Sequence, residues 1–167
     1  MSNPDATDNL RFQRVGAISN THVGRDFQQA TQAFLLRQGL TLKPEFAVAV
    51  GHSVKKMHRF DLGSSEPPIL VECKSYAWTV GGNSPSAKIR GLNEAMLIFS
   101  VAPVKYRKLL VMLRHLRRDE SLATNWLRNH GHLVPPGVEI WELDPDKGEG
   151  WCLLGTPAGN GRRSDGA

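Results

Sequence analysis

The sequence predicts an α/β fold with a central sheet covered on both faces. Three observations carry that expectation. The 167 residues are 40% apolar and 22% charged, the balance of an ordinary globular domain with one core. Helical periodicity and short β-rich runs occupy separate segments of the chain. Their order is α-β-β-β-α-β-α-β, strands first and then helices alternating with strands, which argues a layered sheet.

Each element has its own signal. Residues 23–38 place Phe27, Ala30, Phe34 and Leu35 on one helical face, with Thr21 at the cap and Gly39 at the end. Residues 46–51 (FAVAVG) and 57–62 (MHRFDL) read as strands, the second stopped by the turn-rich stretch 63–68. Residues 69–76 (ILVECKSY) form the clearest buried strand so far. A Gly-rich loop, Gly81 to Pro85, follows; Ser84 as cap and Pro85 as first helical residue predict a helix to about Ser100. Residues 107–113 (RKLLVML) are a buried strand, and Ser121 caps a helix ending near Gly131, with Leu122, Trp126 and Leu127 inward. The turn Pro135-Pro136-Gly137 leads to a last strand at 138–143. A single domain over 18–154 is expected, between a flexible arm at 1–17 and a flexible tail at 155–167, both rich in small and polar residues.

Charge and cysteine usage narrow the class. Lys and Arg number 21 against 16 Asp and Glu, for a formal charge of +5, which favours polyanionic partners such as nucleic acid. Two cysteines, Cys73 and Cys152, do not make a disulfide framework. The polar start shows no signal peptide, and the longest apolar run, Ala95 to Val104, is too short to span a bilayer. A cytoplasmic protein without a membrane segment is the expectation.

Three polar residues interrupt the apolar strands. Glu72 and Lys74 lie two apart in ILVECKSY and so share one face of a strand. Asp61 sits on the preceding strand and meets Glu72 at one end of the sheet if the two strands form a hairpin. Two carboxylates at about 4 Å repel by roughly 4 kcal/mol at an effective dielectric near 20. Lys74 offsets one charge, and a divalent cation such as Mg²⁺ offsets both. A cation so held polarises a phosphoryl oxygen and acidifies a bound water, while an ammonium orients that water and stabilises developing negative charge. Those parts suffice to hydrolyse a phosphodiester. The plainer alternative is a solvated strand end with an ordinary Glu–Lys pair.

The pattern of Asp61, then Glu72-Cys73-Lys74 on the next strand, flanked by a helix before and a helix-strand unit after, resembles the PD-(D/E)XK nuclease superfamily, the restriction-endonuclease-like proteins. The resemblance covers about residues 22 to 143. It implies a three-layer α-β-α sandwich with a mixed central sheet, dependence on Mg²⁺ and cleavage of DNA. It makes Asp61 and Glu72 the metal ligands and Lys74 the catalytic lysine. It departs from the motif in having Phe60, not proline, before Asp61. Some members add an acidic residue from the first helix, a role that would fall to Asp26. The implied activity is a restriction- or repair-type endodeoxyribonuclease, working as a homodimer because cutting a duplex with one site per chain needs two copies. The alternative is a non-catalytic nucleic-acid-binding module of the same fold in a larger complex.

Basic residues crowd the strand at 107–113: Lys105, Arg107, Lys108, Arg114, His115, Arg117 and Arg118. Lys105, Arg107 and Lys108, with Lys88 and Arg90 at the start of the second helix, are the expected phosphate contacts. Asp119 and Glu120 follow at once and are available to pair with Arg117 or Arg118. His58 lies near Asp61 as a further contact or a strand-edge polar group. His130 and His132, at a helix end, suit the dipole better than a zinc ion.

Overall fold

The computed structural model describes residues 19–155, with side chains from Val23 onward. The expected arm at 1–17 and residues 156–167 of the expected tail lie outside the described residues. Two sets of apolar side chains, pointing to opposite faces of one sheet, fix the architecture. On one face Phe60, Leu70, Leu110, Met112 and Ile140 pack against Leu92, Met96 and Phe99 of α2 (Ser86–Val101) and Trp126 of α3 (Leu122–His130). On the other, Leu62, Val71, Leu109, Val111 and Leu143 pack against Phe27, Phe34 and Leu35 of α1 (Ser19–Arg37). The result is α/β, with helices on both faces of the sheet.

The sheet has six strands, in the order β1 (Lys43–Val50), β2 (Lys56–Ser65), β3 (Pro68–Lys74), β4 (Arg107–Leu113), β7 (Val138–Asp144) and β8 (Glu149–Leu154). It is mixed: β3, β4 and β7 are parallel, and the remaining pairs are antiparallel. Buried on both faces, β4 and most of β3 read as apolar runs, whereas β7 carries the buried Glu139 and Glu142 among its apolar residues. A two-stranded hairpin, β5 (Leu116–Arg117) with β6 (Glu120–Ser121), sits between β4 and α3. Among the described residues no helix is long and apolar enough to cross a membrane.

Several boundaries differ from expectation for physical reasons. Thr21 lies inside α1 rather than capping it. β2 continues through Gly63, Ser64 and Ser65, assigned above to a turn, because Gly63 without a side chain lets the Phe46 ring lie against the strand. The turn shrinks to Glu66 and Pro67. Ser84 does not cap α2; the Pro85 carbonyl accepts from the Lys88 and Ile89 amides instead. Ser121 does cap α3, accepting from the Thr124 amide at 3.0 Å. The strand at 138–144 is not the last, since β8 adds an antiparallel edge.

A β-carbon at Gly63 would lie 2.6 Å from the Phe46 ring. Gly63→Ala is therefore expected to push β1 from β2 and cost about 1–3 kcal/mol, read as a lower urea midpoint with an unchanged slope.

Candidate active site at the carboxyl end of the sheet

β3 carries the site because it is the last antiparallel partner of β2 and the first parallel partner of β4. Its early residues are sealed on both faces, and only its carboxyl end opens, so the burial falls from Glu72 toward Lys74. Glu72 and Lys74 share a face, as two-residue spacing requires, and the Lys74 Nζ lies 3.2 Å from Glu72 Oε2. The second oxygen, Oε1, lies 3.1 Å from His58 Nε2. His58 thus braces Glu72 from the neighbouring strand.

Asp61 reaches the site through a break in β2. Phe60 packs into the core under α2, yet Leu62 packs into the core under α1. Residues two apart on a regular strand share a face, so the pleat changes phase at Asp61. On β1 the facing residue is Glu45, skipped in the register between Pro44↔Leu62 and Phe46↔Phe60 and held at a φ of 54°. Such irregularities re-aim a side chain. Here Asp61 Oδ2 accepts from the Cys73 amide at 2.7 Å, between Glu72 and Lys74 in the chain. Gln28 of α1 fixes the backbone at that point by donating to the Asp61 carbonyl at 2.8 Å.

The electrostatics follow from burial. Loss of solvent, then the charge of Glu72, raises Asp61 from its ordinary 3.8 to about 6, against the Cys73 amide and Lys74; Glu45 adds to the rise. Burial pulls Lys74 down, but Glu72, Tyr76 and Asp61 outweigh it and hold the amine above its ordinary value. Lys74 is therefore an ammonium at neutral pH, a donor and not a base. Burial also pushes the Cys73 thiol well above its usual value, so it stays protonated.

The sequence-derived residues separate into two groups. Asp61, Glu72 and Lys74 come together, joined by His58 and Glu45. Asp26 is exposed, and Gln28 is the residue of α1 that bonds Asp61. The basic crowd around β4 splits, because the strand's ends lie about 20 Å apart at roughly 3.3 Å per residue. Arg107 pairs in register with Ile69 while Met112 pairs with Lys74, so Lys105, Arg107 and Lys108 lie at the far end of the sheet. Arg107 is bound by both oxygens of Glu139, at 2.6 and 3.0 Å. Lys108 donates to the Phe99 and Ala102 carbonyls at the end of α2, at 2.9 and 3.1 Å. Both side chains, expected as phosphate contacts, are thus engaged within the fold and away from Lys74. Lys88 remains at the site's end, with its ammonium 5.6 Å from the Tyr76 ring centre; Arg90, in the same turns of α2, is exposed.

The donor set suits a hard divalent cation. Asp61 and Glu72 are both carboxylates, and hard cations prefer such oxygens; the rise of Asp61 comes first from burial and only then from the charge of Glu72. Among the described residues no group of three or more His, Cys, Asp or Glu side chains is gathered closely enough to hold a metal ion, so a cation here would take water or phosphate for its remaining ligands. No family model matches the sequence, and no curated protein matches it significantly.

The sign of the pH effect follows from Asp61. Its proton is held more tightly in the folded chain, so its contribution to stability is full below pH 3.8 and is lost as pH rises through about 6. In EDTA, Asp61→Asn is expected to melt above wild type at pH 7.5, with the gap shrinking toward pH 4.5. An equal gap at both values in calorimetry would contradict this.

Proposed function

We propose that the chain is a magnesium-dependent endodeoxyribonuclease of the restriction-endonuclease-like kind, acting in restriction or repair. The observation that carries the reading is the convergence of Asp61, Glu72 and Lys74 at one half-buried strand end. The mixed sheet with helices on both faces supports it as well. In this reading the α-β-α sandwich is the fold of that superfamily.

Asp61 and Glu72 would hold the Mg²⁺. When bound, the ion supplies Lewis-acid polarisation of the phosphoryl group and a more acidic water. The chain's own residues do the rest. The Asp61 carboxylate is fixed by the Cys73 amide, and its backbone by Gln28. His58 orients Glu72. The Lys74 ammonium would donate to the phosphate oxygens, where negative charge grows as the new P–O bond forms and the bridging one breaks; the water's proton passes to solvent and the departing oxygen takes one from it. Such a site cuts one strand, so a duplex is cleaved by a homodimer.

One observation favours the rival reading, a binding module without catalysis. Both Glu72 oxygens already have partners, His58 and Lys74. A supercoiled-plasmid assay decides between them. Wild type is expected to nick DNA with Mg²⁺ and not with EDTA. Glu72→Ala abolishes nicking, and Lys74→Ala lowers its rate by about 10²–10³, the range for loss of a positioned donor. Mg²⁺-independent nicking, or full activity in either variant, refutes the proposal.

A further inference from the structure

The cations near β4 differ in what neutralises them. Arg107 is bound by Glu139, Arg114 by Glu142 and Arg128 by Glu120. Their charges are cancelled at the surface. Arg117 and Arg118, on the β5–β6 hairpin, are exposed, and among the described residues neither lies within 4 Å of a carboxylate. Glu120 faces Arg117 across the hairpin but is taken by Arg128 and Asn125. Asp119, the next residue, pairs with neither arginine.

Arg117 is held out by other means. Its guanidinium carbon lies 5.6 Å from the Trp78 ring centre, and a β-carbon on Gly82 would come within 2.8 Å of its Nε. A cation over a ring keeps its full charge, whereas one on a carboxylate does not. Arg118 stands at the hairpin turn with a φ of 54°, a conformation that costs a non-glycine residue energy. The hairpin is anchored to the protein at its base. The Leu122 amide donates to the His115 carbonyl at 3.2 Å, and the Trp78 amide to His115 Nδ1 at 3.2 Å. Trp78 leaves β3 just beyond Lys74, and the hairpin leaves β4 just beyond Leu113, at the same end of the sheet.

We infer that the hairpin Leu116–Ser121 is a clamp that holds the DNA backbone through Arg117 and Arg118 beside the Glu72–Lys74 site. This inference rests on the nuclease reading for its ligand. The contacts are to phosphate and not to bases. Trp78 is buried under Arg117 and offers no ring face for stacking, and the two guanidiniums meet a repeating charge common to every sequence. The enzyme therefore grips DNA without regard to sequence at this surface.

The test is fluorescence anisotropy in EDTA, where cleavage is blocked, with two labelled duplexes of unrelated sequence across a salt series. The paired change Arg117→Gln with Arg118→Gln is expected to weaken both duplexes at least tenfold at low salt. It should lower the slope of log affinity against log salt by about 2, since each phosphate contact contributes about 0.9. Lys43→Ala, an exposed cation at the far end of the sheet, should leave binding within twofold. Should the glutamine pair misfold by circular dichroism, Arg117→Lys with Arg118→Lys keeps the charge and should keep the slope. The inference is overturned if wild type binds neither duplex, if the glutamine pair binds as wild type, if only one sequence is affected, if Lys43→Ala loses as much, or if the lysine pair loses the slope. Loss of binding in the glutamine pair, from a wild type that never nicks DNA with Mg²⁺, supports the clamp and removes the nuclease reading alone.

Discussion

The Glu72 carboxylate is the constraint on which the carboxyl end of the sheet depends. Its side chain is only 9% exposed, in a strand whose other central residues are apolar. A carboxylate so placed must be paired, because removing one partner leaves an uncompensated charge at a cost of several kcal/mol. Lys74 supplies one partner from the same strand and His58 the other from β2. The pair across the strands ties the register of β2 to β3 at that end, where the backbone ladder stops at Leu62↔Val71. The Asp61 carboxylate and Cys73 amide then continue the contact that the ladder gives up. The geometry proposed to serve chemistry is thus also the geometry that closes the sheet.

A basic composition alone says little about where a polyanion binds. The cations of this chain show why. Those facing glutamates are held by them, and Lys108 closes a helix end. What remains for a partner is decided by local pairing, not by the net charge of +5. Position along a strand matters as much, since residues close in sequence around β4 project from opposite ends of it.

Much of this was legible in the residues. The apolar runs at 69–74 and 107–113 located the central strands, and the interruption by Glu72 and Lys74 marked their open end. Three features were not legible. The phase change at Asp61 leaves no trace in residue types, because Phe60 and Leu62 fit a regular strand as well as a broken one. Glu45 was missed because β1 begins before the apolar pattern does, with Lys43 and Pro44. β8 and the β5–β6 hairpin are short edge elements whose pairing is set by neighbours, not by their own periodicity. The pairing of Arg107 and Lys108 was hidden for a related reason: their partners, Glu139 and the end of α2, are distant in sequence.

The charge at the site has a consequence for the order in which contacts form. Asp61, Glu72 and Lys74, all ionised, sum to one negative charge, and Glu45 adds to it. A phosphodiester is repelled by such a site, by roughly 1–4 kcal/mol at about 4 Å depending on how far water screens it. Under the proposed nuclease reading a divalent cation would reverse the sign, so the site would attract DNA when loaded. The hairpin arginines keep their charge whatever the site holds. In the proposed reading, attraction without the cation comes from cations outside the carboxylate pair, the hairpin arginines among them, and the site adds its own grip once Mg²⁺ is bound. In that reading, division of labour of this kind would separate the hold on the backbone from commitment to cleavage, and it follows from which carboxylates have been left without a neutralising partner.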